Sequence, residues 1–98
     1  MTSDFYRKTV NQSREKQNYR YKNEQFSLNS ELPSKLTRQY IKQSPAAVRT
    51  LSQSVARFQL SGRSYFKIMK ISQTIADLDE KQGDQVEQRH VLEALQYR

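Results

Sequence analysis

The chain has no cysteine and no tryptophan, and its 98 residues include one histidine, two glycines and two prolines. Without cysteine there is no disulfide, no thiolate metal site and no thiol nucleophile. A single histidine with no partner at ligand spacing gives no reason to expect a metal held by this chain. So few glycines and prolines cannot supply the turns of a β-sandwich, and they favour helices joined by short connections. Gly62 and Gly83 cannot build a phosphate-cradling loop. No nucleophile elbow and no His-Glu-x-x-His helix is present. No apolar run nears the ~18 residues of a membrane span, and the first residues lack the apolar centre of a signal peptide. One small, cytoplasmic, all-α domain of four or five helices is expected, with no membrane contact and no catalysis of its own. At this size only ~60–65% of the unfolded surface can be buried, so the core is thin.

Carboxylates are missing locally as well. The net charge is +7, yet residues 1–32 carry six basic and four acidic side chains, and residues 77–98 carry three basic and six acidic. Residues 33–76 hold eight Lys/Arg and no Asp or Glu. An acid-free stretch flanked by mixed charge suggests a surface that faces an anion: nucleotide, nucleic acid or an acidic partner. The plainer reading is a solvated helical face whose carboxylate partners come from other segments.

What is present reads as helices. Residues 1–22 suggest a polar connector helix with a weak stripe of Tyr6, Val10, Arg14, Gln17 and Tyr21. Residues 22–32 read as a loop, and Leu32-Pro33 opens a short helix carrying Leu36, Tyr40 and Ile41. Ser44-Pro45, a capping hydroxyl before proline, starts a helix with the stripe Val48, Leu51, Val55 and Phe58. Only Gln59 and Leu60 separate it from a second cap, Ser61, behind which Ile68, Ile71, Ile75 and Leu78 keep the same spacing. Leu60 and Tyr65 fall where side chains staple across a helix start. Asp79 to Gly83 read as a polar turn, and Asp84 with Glu87 fits a capping box for a last helix carrying Val86, Val91, Ala94 and Leu95.

Among the aromatics, Tyr40, Phe58 and Tyr65 fall on striped faces and read as core. Tyr6, Tyr19 and Tyr21 lie among basic residues, a weak sign of nucleic-acid stacking. His90 shares a face with Val86, Ala94 and Tyr97, which favours packing over catalysis. The sharpest feature is the helix start Ser61-Gly62-Arg63. A cation in the first turn opposes the helix dipole, at ~0.3–1 kcal/mol. Free backbone N–H groups and a guanidinium at one helix start are the parts of a phosphate site.

Leu60-Ser61-Gly62-Arg63-Ser64-Tyr65, then Ile71 and Thr74-Ile75-Ala76-Asp77-Leu78, then His90 and Glu93-Ala94-Leu95-Gln96-Tyr97-Arg98, strongly resemble the C-terminal domain of magnesium-chelatase-like AAA+ ATPases of the competence-protein (ComM) type. That pattern reads Leu-Ser-Ala-Arg-Ala-Tyr, Thr-Ile-Ala-Asp-Leu and Glu-Ala-Leu-Gln-Tyr-Arg. Arg14-Glu15-Lys16-Gln17 and Asn29 with Pro33 also match, so the resemblance covers nearly the whole chain. Gly62 stands where the family has alanine.

The resemblance implies a helical lid over 23–98, preceded by the connector helix and excised from a larger ATPase. Arg63 would correspond to the sensor-2 arginine, reaching the terminal phosphate of ATP beside Ser61 and Gly62. ATP and Mg²⁺ would be held by an upstream nucleotide-binding core, with none held by this chain alone. The implied partners are that core and the neighbouring subunits of a ring, expected to be a hexamer. DNA is a further implied partner, through natural transformation. Nothing in the chain points to insertion of a metal into a porphyrin. Read without the resemblance, the acid-free stretch 33–76 fits a stand-alone basic helical DNA-binding module instead.

Overall fold

Hydroxyl caps and one proline decide where the main helices begin. The computed structural model describes residues 3–79 and 85–98, and it is all-helical. Helix α1 spans Ser3–Arg20, α2 Thr37–Tyr40, α3 Pro45–Phe58, α4 Gly62–Leu78 and α5 Gln88–Ala94, with 3₁₀ turns at Asn29–Glu31, Ser34–Leu36 and Leu95–Tyr97. Ser44 Oγ accepts the N–H of Ala47 at 3.1 Å, with Pro45 in the first turn of α3. Ser61 Oγ does the same for Ser64 at the start of α4, also at 3.1 Å. Each hydroxyl satisfies one of the donors that a helix start leaves without a partner.

The corner between α3 and α4 is tight. Gln59 ends α3 in the left-handed region (φ 53°, ψ 48°), and its N–H donates to the Val55 carbonyl. The Leu60 N–H reaches the same carbonyl at 3.1 Å. Ser61 caps α4 directly after, so the direction of the first turn of α4 follows from the end of α3.

The buried faces differ from the expected stripes. Helix α3 buries Ala47, Thr50, Leu51 and Ser54, while Val48 is 47% and Phe58 36% exposed. Small side chains let α3 approach α5 closely, and the larger Val48 and Phe58 are rotated to the margin. The Phe58 ring is instead covered by the Arg98 guanidinium, 3.8 Å from its centroid. Helix α4 buries Ile68, Met69, Ser72, Gln73, Ala76 and Asp77, with Ile71 and Ile75 half-buried and Leu78 exposed. Packed between α1 and α5, it turns two adjacent rows inward rather than one aliphatic stripe. In α1, Ser13, Gln17 and Tyr21 just beyond the helix are buried, whereas Tyr6 and Arg14 face outward.

Between α1 and α3, the segment read as loop contains the 3₁₀ turn Asn29–Glu31. The short helix expected from Leu32-Pro33 is split into the turn Ser34–Leu36 and α2, with Leu32 and Ile41 anchoring its ends in the core. The last helix starts later than its sequence suggests. Val86 lies ahead of it, donating to the Lys42 carbonyl at 2.7 Å and accepting from the Ser44 N–H at 2.9 Å. This isolated parallel bridge with Gln43 commits the Val86 backbone elsewhere, and Glu87 becomes the residue before the helix. Asp84 and positions 80–83 of the expected polar turn lie outside the described residues. His90 completes the start of α5: Nδ1 accepts the Glu87 N–H at 2.9 Å, and Nε2 meets Asp79 Oδ2 at 3.1 Å. His90 is thus a buried packing and capping residue, and an accepting Nδ1 leaves Nε2 to donate to Asp79. Among the described residues no helix is long and apolar enough to cross a membrane.

Candidate functional site

Arg63 stands in the first turn of α4, exposed, with Ser61 and Gly62 exposed beside it. The Ser61 hydroxyl is committed to its own helix, accepting from Ser64 N–H and lying 3.2 Å from the Ser64 hydroxyl. It shapes the turn; the groups left for an anion are the guanidinium of Arg63 and the first N–H groups of the helix. A methyl group built on Gly62 meets nothing within 4 Å. The alanine of the family pattern therefore fits here without any adjustment.

Alongside Arg63 runs a groove of about 360 Å³ lined by Ser30, Ser34, Phe66, Lys67, Lys70 and Ile71. Among the described residues, three cations and no carboxylate line it. The acid-free stretch keeps its charge uncompensated throughout: none of its eight basic residues forms an ion pair among the described residues. A second groove, about 750 Å³, lies beside α5 and mixes Arg89 and His90 with Asp79 and Glu93. The exposed apolar side chains Leu78, Leu92 and Tyr97 also line it, so it is no anion site. Among the described residues no cluster of three His, Cys, Asp or Glu side chains is placed to hold a metal.

A buried polar network ties α1 to the far end of α4. Arg20 meets Asp77 in a two-pronged pair, and Asn29 Nδ2 donates to Asp77 Oδ2 at 2.9 Å and to Thr74 Oγ1 at 3.1 Å. Asn29 Oδ1 accepts from Tyr21 Oη at 2.6 Å and from Arg20 Nη1 at 3.1 Å, while its backbone N–H donates to Gln17 Oε1 at 2.8 Å. Burial raises the Tyr21 pKa above its ordinary 10.0, although the neighbouring Arg20 pulls the other way. Tyr40 is also raised, chiefly because its hydroxyl donates to the Glu24 carboxylate.

Two groups stand out among the motif residues quoted above. Gln17, Asn29, Thr74 and Asp77 meet in the buried network, and Ser61, Gly62 and Arg63 stand together at the exposed corner. Comparison with family models matches residues 1–98 to the C-terminal domain of the magnesium chelatase subunit ChlI. The chain belongs to that family. No curated protein and no solved structure matches it. The magnesium chelatase C-terminal family consists of helical lids of AAA+ ATPase-like proteins, and the all-helical architecture agrees with this.

Sequence reasoning found the corner but missed both the network and the groove. Arg20 and Asp77 are 57 residues apart, and only their opposite charges could have hinted at the pair. Lys67 and Lys70 were legible as cations four and seven positions after Arg63, which puts all three on one helix face. The wall contributed by Ser30 and Ser34 comes from tertiary packing and leaves no such trace.

Proposed function

We propose that this chain is the lid of a ComM-type ATPase and that Arg63 acts as its sensor-2 arginine. Lid closure would bring the guanidinium to the terminal phosphate of ATP held in an upstream core. There it offsets charge that spreads over the phosphoryl oxygens during transfer, a contribution that depends on fixed placement. The observation that carries this reading is an exposed arginine, unpaired among the described residues, on a helix start whose direction is set by a two-residue corner. The site suits phosphate: the groove beside it offers cations and hydroxyls and, among the described residues, no carboxylate. It offers Mg²⁺ no carboxylate pair, so the metal that accompanies ATP falls to the core.

The clamp between Arg20 and Asp77 makes α1 and α4 one lever. A movement of the core transmitted to α1 is delivered to Arg63 through α4, which couples hydrolysis to lid motion. We place the parent ATPase in the cytoplasm as a hexameric ring engaged in DNA processing during natural transformation. The domain boundary of this proposal lies at residue 22, with the lid itself over 23–98. The test is ATP turnover by the assembled ATPase carrying Arg63→Ala. Arg63 by itself, without a phosphate loop, supplies little affinity for ATP.

The uncompensated cations of 33–76 favour a second reading, a stand-alone DNA-binding module. That reading requires duplex affinity that falls steeply with salt. Flat fluorescence anisotropy with duplex and single strands at ~50 mM salt removes it.

A further inference from the structure

Three cations share one side of α4, unpaired among the described residues. Arg63, Lys67 and Lys70 follow one another at steps of four and three residues, which keeps them on one face over ~10 Å of helix at 1.5 Å per residue. None of them makes an ion pair or a side-chain hydrogen bond among the described residues. Like charges at this spacing repel one another and destabilise the helix slightly, a cost that a bound polyanion would remove. Ser30 and Ser34 supply hydroxyls on the facing wall, and Phe66 and Ile71 complete the lining. Ser30 follows directly on Asn29, which the buried network holds rigidly, so this wall is pre-positioned.

We propose that this groove seats a short polyphosphate, as carried by a nucleoside di- or triphosphate, with Lys67 and Lys70 as binding residues alongside Arg63. Its volume of about 360 Å³ suits a compact anion, since small-ligand sites begin near ~300 Å³. The long stems of lysine and arginine let three separated backbone positions converge on one such group. Naming the phosphates as those of ATP rests on the lid reading; the seat itself needs nothing from the core and is testable on this chain.

The probe is sodium tripolyphosphate, titrated at ~50 mM salt, where screening is modest, and followed by amide chemical shifts. Saturable shifts are expected around 30–34 and 62–71, with tripolyphosphate binding more tightly than pyrophosphate and pyrophosphate more tightly than phosphate. Lys67→Gln with Lys70→Gln weakens tripolyphosphate binding at least ~10-fold, a loss of ~1.4 kcal/mol, and leaves the melting temperature in place. Arg7→Gln with Lys8→Gln removes the same charge elsewhere and changes binding less than twofold. Equal weakening by both pairs would mean diffuse attraction to net charge, and the proposal falls. It also falls if a thymidine oligonucleotide saturates the same residues more tightly than tripolyphosphate at equal phosphate concentration, because the groove is then a strand site. In the assembled ATPase the Lys67/Lys70 pair should raise KM for ATP with kcat retained. An inert Arg63→Ala together with intact tripolyphosphate binding defeats the lid reading alone. Slow turnover in Arg63→Ala without tripolyphosphate binding defeats the seat alone.

Discussion

Arg20 holds Asp77 with both terminal nitrogens, Nη2 to Oδ1 at 2.7 Å and Nη1 to Oδ2 at 2.9 Å. The two side chains are 8% and 0% exposed. Gln73 Nε2 and Asn29 Nδ2 take further lone pairs of the carboxylate, at 3.2 and 2.9 Å. Breaking such a pair by removing one partner leaves a buried charge uncompensated, typically at ~3–5 kcal/mol. Asp77→Ala should lose that much in urea denaturation. Arg20→Met with Asp77→Leu should lose clearly less than the sum of the single changes, because no charge is stranded. A loss under ~1 kcal/mol in Asp77→Ala, the range of surface pairs, would show that the clamp does not hold α1 to α4.

The rotated face of α3 makes neighbouring positions behave oppositely. Ala47 is fully buried and Val48 is nearly half exposed. Ala47→Leu forces extra volume into a packed contact and should cost ~1–3 kcal/mol. Val48→Ser should stay within ~0.5 kcal/mol of the parent. Thermal unfolding of the two variants decides the register, and the reverse order would restore the stripe expected from spacing.

Two substitutions at the corner should stabilise the chain. Gln59 sits in the left-handed region that glycine occupies without strain. Gly62 is helical with open space where a Cβ would be. Gln59→Gly and Gly62→Ala should each raise stability by ~0.5–1 kcal/mol, the first by relieving strain and the second through backbone entropy. Urea midpoints measure both; a drop in either would mean the corner is held differently.

Alkali should destabilise the chain through two phenols, Tyr21 and Tyr40. Burial favours neutral Tyr21, and the Glu24 carboxylate favours neutral Tyr40, so both folded pKa values lie above the unfolded 10.0. A raised pKa contributes stability that is complete below the unfolded value and is lost as pH rises through the folded one. Urea midpoints should hold level to about pH 9 and fall beyond about pH 10. Tyr21→Phe should start lower, having lost its hydrogen bond to Asn29, and fall less steeply.

Much of this fold was legible in local signals. Ser44-Pro45 and Ser61 gave the starts of α3 and α4 because a cap is a contact between residues three apart. The stripes misled because burial is set by the partner helix. Small side chains on α3 and polar ones on α4 turned inward where α5 and α1 came close. Val86 was drawn out of the last helix by a bridge to Gln43, and Glu87 took the cap position that local pattern gave to Asp84. At the site, Arg63 could be singled out because its charge opposes the local dipole. Its groove could not, since Ser30 and Ser34 reach it only through the packing of Asn29 on α4.

The role of Arg63 is tested most directly by Arg63→Ala in the assembled ATPase, with turnover at saturating ATP and the melting temperature measured side by side. An exposed side chain with no partner among the described residues should leave the melting temperature unchanged. Turnover should fall at least ~10-fold, ~1.4 kcal/mol of lost transition-state stabilisation. Wild-type turnover in a folded Arg63→Ala enzyme would contradict the assignment.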